Sequence, residues 1–240
     1  FRSERSVGLR FAGQWMLASS WAYAAIYLFV LIFSVAVIGQ FKLAQVAFGP
    51  ITVMSQGIVT GLVALAARYF RIDVRKSLRF VALGGLATAA LMLGWTAAVY
   101  FAPVHTLTKA FGPAWPAARR MVPLMGLAFA LNAMSSSSVA GLRSIRAAKE
   151  NLRLAMAMVP VLATCSLVGG IVWGIQAALA GICIGYGIYA IAGWTLLVRS
   201  AHRLVPGGGE SSGTASGSPR PAGEDEAVSE VAIEAAGAGI

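Results

Sequence analysis

Long uncharged apolar runs alternate along the chain with short clusters of basic residues. No Asp, Glu, Lys or Arg occurs in 11–41, 43–67, 80–108, 121–142 or 154–198. A helix needs about 20 apolar residues to cross a bilayer. Four of these runs accommodate one crossing each, and the last accommodates two, joined by a turn at Gly174-Ile175-Gln176. The pattern predicts an all-α membrane protein with six transmembrane helices: Trp15–Ile38, Leu43–Ala67, Phe80–Ala102, Met121–Leu142, Leu154–Gly174 and Ala177–Val198. Within lipid such runs must be helical, because open strands leave backbone N–H and C=O groups without partners.

Proline and tryptophan punctuate this frame. Pro103, Pro113 and Pro116 predict an interrupted helix across 103–120, since each removes a backbone donor. Pro123 falls in the first turn of span four, where a missing N–H is tolerated. Pro50 and Pro160 read as interior to spans two and five, where each predicts a kink. Trp15 and Trp194 read as one interfacial belt, Trp173 as the other, and Trp115 as a residue of the outer loop.

Charge supplies orientation. Of the 19 Lys and Arg residues, fifteen fall in segments 1–14, 68–79, 143–153 and 199–220, and four (Lys42, Lys109, Arg119, Arg120) in the alternate connections. The positive-inside rule places the first group in the cytoplasm. Both termini are then cytoplasmic, as an even number of spans requires, and the expected location is the plasma (inner) membrane. The opening Phe1 predicts a fragment or a processed chain. Segment 1–14 reads as a cytoplasmic lead and 15–205 as the six-helix lobe. Residues 206–240, rich in Gly, Ser and Pro and holding six of the nine acidic residues, read as a disordered tail.

Composition narrows the function classes. The chain is 58% hydrophobic and 12% charged, about half the charge of a soluble domain. Cys165 and Cys183 lie within apolar runs, and His105 and His202 are far apart, so no disulfide framework, metal site or cofactor is expected. The net charge of +10 resides in short connections rather than on a nucleic-acid-binding face. No nucleophile elbow, zinc-binding helix pattern or phosphate loop is present, and the expectation is a non-enzyme.

Two kinds of residue remain. Gly57 and Gly61, and Gly181 and Gly185, are glycine pairs four apart on one helical face and predict close helix packing. Gln14, Gln56, Asn132, Ser135 and Ser136 are polar groups inside apolar runs, where such groups face protein or a watery cavity. They are candidates to line a cavity that accepts sugar hydroxyls. Arg68, Arg143 and Arg146, at cytoplasmic helix ends, are candidates to meet phosphates. No Asp or Glu lies inside a span, which argues against a cation-binding carboxylate.

Three stretches carry a resemblance. Phe41–Pro50 is similar to a short outer turn, Phe111-Gly-Pro-Ala-Trp115 with Ala117-Ala118 to the approach to the next span, and Gly141–Lys149 to a basic inner loop. In these the chain resembles the polysaccharide flippase branch of the multidrug/oligosaccharidyl-lipid/polysaccharide exporter superfamily, over residues 10–203. The resemblance implies one six-helix lobe, the C-terminal one, of a two-lobe transporter that moves lipid-linked oligosaccharide by alternating access. The implied partners are the bilayer, a lipid-linked glycan and a second six-helix lobe, in the same full-length chain or a dimer partner. A multidrug exporter lobe and a membrane scaffold or permease subunit are the alternatives.

Overall fold

The computed structural model describes residues 29–70, 72–145 and 147–203. These residues are helical throughout apart from short connections, with no strand among them. The elements are α1 (Val35–Ala47), α2 (Gly49–Phe70), α3 (Val74–Phe101), α4 (Val104–Phe111), α5 (Trp115–Ala118), a 3₁₀ turn (Arg119–Met121), α6 (Val122–Ser144), α7 (Ala148–Trp173) and α8 (Ile175–Arg203).

Five stretches are long and apolar enough to cross a membrane: Gly49–Phe70, Val74–Phe101, Trp115–Ser144, Lys149–Trp173 and Ile175–Arg203. Their outer faces bear large apolar side chains, with Leu83 65% and Ile191 69% exposed. Their length, composition and apolar exterior are those of a multi-pass membrane protein. Residues 15–28 of the first predicted span, together with Trp15, Gln14, Arg146 and the 206–240 tail, lie outside the described residues.

The structure corrects the sequence reading around the first two spans. The chain breaks at Phe33–Ser34, within the predicted first span, and α1 then runs unbroken through the predicted turn at Gly39–Lys42. The next break is at Phe48, so α2 starts at Gly49 rather than Leu43. Lys42 does not interrupt the helix, lysine being a good helix former, and its ammonium donates to Gln45 Oε1 one turn on, at 2.9 Å. This shift moves Pro50 from a span interior to the second residue of α2. There its absent N–H is one of the orphan donors, and no kink arises. Pro160 does lie inside α7.

The remaining ends follow local chemistry. Asp73 caps α3 through its carboxylate, which accepts from the backbone N–H of Arg75 (2.9 Å) and Lys76 (3.1 Å). Gly112 (φ 89°) and Gly174 (φ 84°) end α4 and α7 in backbone conformations that glycine adopts without penalty. Arg119 donates from Nε (3.0 Å) and Nη2 to the Tyr100 carbonyl, an orphan acceptor at the end of α3. Its guanidinium sits 5.0 Å from the Tyr100 ring centre. Trp115, expected in a loop, is fully buried and stacks on Phe111 at 4.9 Å.

Helix α6 is the hub, packed against α2, α3 and α8. It earns that position through small residues. Gly126 meets Thr96 of α3, Ser137 meets Gly85 of α3, Ser138 meets Gly193 of α8, and Gly141 meets Leu197 of α8. Two apolar clusters mark the ends of the bundle. Phe48, Met92, Val99, Trp115, Val122 and Leu179 form one; Ala66, Val81, Leu142, Leu154 and Leu197 form the other. The second cluster joins the end of α2, the start of α3, the end of α6, the start of α7 and the end of α8. Most of the described cations therefore gather at that end.

Candidate functional site

A lateral groove of 490 Å³ opens between α1, α2, α3 and α6. Three helical stripes build its polar walls. Lys42 and Gln45 come from α1; Thr52, Ser55 and Gln56 from α2; Asn132 and Ser136 from α6. Asn132 and Ser136 are one turn apart and so share a face. Thr88 and Met92 of α3 and Phe129 of α6 complete the lining.

Hydrogen bonding divides these groups into committed and available ones. Thr52 Oγ1 donates to the Gly49 carbonyl at 2.7 Å, Ser55 Oγ to Thr52 at 2.8 Å, and Thr88 Oγ1 to Gly84 at 2.8 Å. Their hydroxyls are spent as donors but keep acceptor lone pairs. Gln56, Asn132 and Ser136 hold no side-chain hydrogen bond among the described residues. Two amides and a hydroxyl thus face one open space with donors and acceptors in hand. Among the described residues no carboxylate lines the groove, and the single formal charge in its lining is Lys42.

The predicted candidates separate on this geometry. The structure brings Gln56, Asn132 and Ser136 together. It does not bring Ser135, which is 1% exposed and donates to the Asn132 carbonyl at 2.8 Å. A helix turns 100° per residue, so four consecutive serines point almost all the way round it. Ser136 reaches the groove, while Ser135, Ser137 and Ser138 are buried. Arg68, in the last turn of α2, and Arg143, in the last turn of α6, are exposed and do not line the groove. Gln14 and Arg146 lie outside the described residues.

The glycine pairs separate as well. A methyl on Gly181 would overlap the Cys165 carbonyl oxygen of α7, and one on Gly185 would lie 2.8 Å from Leu162 Cδ1. Gly169 of α7 approaches the Ala177 carbonyl from the other side of the same seam. Gly57 and Gly61 have nothing within 4 Å of such a methyl, and both are exposed.

Sequence reasoning missed Lys42, Thr52 and Ser55 as lining residues. The signal was present: Gln45, Gly49, Thr52, Gln56 and Val59 recur at helical spacing. Placing a turn at 39–42 hid it. Among the described residues no cluster of three His, Cys, Asp or Glu side chains is positioned to hold a metal. No family model, curated protein or solved structure matches the chain.

Proposed function

We propose that the chain is one lobe of a membrane transporter that takes a hydroxyl-rich substrate, a lipid-linked oligosaccharide, along the α2–α6 groove. The observation that carries this reading is the convergence of uncommitted Gln56, Asn132 and Ser136 side chains in an open groove flanked by membrane-length helices. Amides and hydroxyls exchange hydrogen bonds with sugar hydroxyls in both directions, and they do so without net charge. Polar groups in a bundle at membrane depth are expensive unless they meet protein, water or ligand.

The groove is open on one side, as a half-cavity completed by a second lobe is. Exposed Gly57 and Gly61 on α2 leave room for close approach by a helix from that lobe. The resemblance to the polysaccharide flippase branch fits this arrangement. Collection of cations at the end formed by Arg68, Arg79, Arg143, Arg153 and Arg199 supports a cytoplasmic assignment for that end of the bundle. A multidrug exporter lobe fits less well, because a cationic substrate finds no carboxylate among the described residues of the groove and meets Lys42 instead. A purely structural scaffold leaves the uncommitted amides without a purpose.

Binding of a fluorescent polyprenyl-diphosphate oligosaccharide to the full chain in nanodiscs tests the reading. The triple variant Gln56→Leu, Asn132→Leu, Ser136→Ala is expected to weaken binding about tenfold or more, three hydrogen bonds being removed. Unchanged binding, or binding of a cationic dye in place of the glycolipid, contradicts it.

A further inference from the structure

A second cavity, of 440 Å³, lies between the first turns of α7 and the last turns of α8. Arg153 of α7 lines one wall, and Arg199 and Arg203 of α8 line the other. The last two are one turn apart and share a face. Glu150 is the only acidic residue in the lining among the described residues. Among the described residues Glu150 forms no ion pair with these guanidiniums. The groove proposed for transport uses none of these residues.

The cavity is graded. Its apolar lining residues Leu154, Ala192 and Leu196 are buried or half-buried, while Thr195 and the arginines are exposed. From Thr195 toward the start of α8, the exposed residues Ile191, Ile188 and Ile184 recur at helical spacing along one face. A charged mouth therefore continues into an apolar stripe on a membrane-length helix. A free phosphate or an acidic peptide would use the mouth alone. A phospholipid would use both, its phosphate against the forked guanidinium donors and its acyl chain along the stripe.

We infer that the α7–α8 cleft is a binding site for an anionic phospholipid, its phosphate held by Arg153, Arg199 and Arg203. The site depends on the membrane location of the chain and not on what the groove carries. Each basic side chain near a membrane surface strengthens anionic-lipid binding by roughly fivefold.

Native mass spectrometry of the full chain, released from nanodiscs of mixed phosphatidylglycerol and phosphatidylcholine, reads the preference directly. The wild-type chain is expected to retain phosphatidylglycerol in excess. The variant Arg153→Gln, Arg199→Gln, Arg203→Gln is expected to lose that preference by about tenfold or more. Arg153→Lys, Arg199→Lys, Arg203→Lys, which keeps the charge, should preserve most of it. Arg75→Gln, Lys76→Gln, Arg79→Gln removes the same charge from the start of α3, outside the cleft, and should weaken the preference clearly less than the cleft variant does. Equal retention by wild type and the cleft variant overturns the proposal. So does an equal loss in the α3 variant, which would mean diffuse surface attraction. Displacement of the lipid by millimolar glycerol phosphate would assign the cleft to free phosphoesters.

Discussion

Gly57–Gly61 and Gly181–Gly185 have the same spacing on helices of similar composition, yet one pair is sealed and the other open. The difference lies in what precedes each helix. Gly174, at φ 84°, separates α7 from α8, and these two pack along each other, whereas Phe48, at φ −91° and ψ −5°, separates α1 from α2, which barely touch. Gly169 and Gly170 of α7 then meet α8 close to the turn, and Gly181 and Gly185 continue the approach further along. On α2, the inward face is already spent on Ile51, Ser55, Leu62 and Ala66. Gly57 and Gly61 occupy another, exposed face. A small-residue pair thus permits close contact, but connectivity and the rest of the helix decide whether a partner arrives within the same chain. In lipid this matters more than in water, since apolar burial alone does not drive helices together.

Substitutions break or sharpen this contrast. The largest effect is expected from Gly181→Leu, which forces a branched side chain into the α7 backbone at Cys165. A loss of roughly 3 kcal/mol or more is expected in unfolding from detergent micelles, whereas Gly57→Leu should leave the isolated chain no less stable than wild type. Gly126→Ala comes next: its methyl would overlap Thr96 of α3, whose hydroxyl donates to the Met92 carbonyl at 2.7 Å. A cost of roughly 1–3 kcal/mol follows by the same measurement.

Trp95→Phe is expected to cost about 1 kcal/mol. It removes the indole N–H that donates to the Ala47 carbonyl at 3.0 Å and ties the end of α1 to α3 beside the open groove. Proteolysis should report earlier release of α1. Gly61→Ala has the opposite sign. With open space around it, the substitution should stabilise the isolated chain by about 0.5–1 kcal/mol through helix propensity, while weakening any association across that face.

The smallest effect concerns Asp73, outside the spans. The Lys76 backbone N–H, and after it that of Arg75, holds its carboxyl below the ordinary value of 3.8. The cap it provides is therefore present above that value and is lost as pH falls through the lower, folded-state value. Backbone amide shifts of Arg75 and Lys76 should titrate with a midpoint under 3.8, and Asp73→Asn should abolish the titration.

Much of this was legible in the linear pattern, and the exceptions are physical. Charge-free runs located the five long helices, and Gly174 located the tight turn between α7 and α8. Lys42 misled because one charge does not stop a helix, lysine being a good helix former. The Gly49-Pro50 pair was the truer boundary, since proline favours a first turn. Asn132 and Ser136 were readable as one face. The serine run was not, because its four hydroxyls spread round the helix and only neighbours decide which are buried. The cluster of Arg153, Arg199 and Arg203 was hidden as well: charge counting assigned them to one side of the membrane but not to one cleft.

The central claim is that Gln56, Asn132 and Ser136 face water at membrane depth. Single cysteines at these positions, in a chain carrying Cys165→Ala and Cys183→Ala, can be exposed to a charged, membrane-impermeant maleimide in permeabilised vesicles. The account predicts rapid labelling at all three and none at Val53 or Leu83, which face outward. Labelling of the three no faster than at Val53 and Leu83 would contradict it.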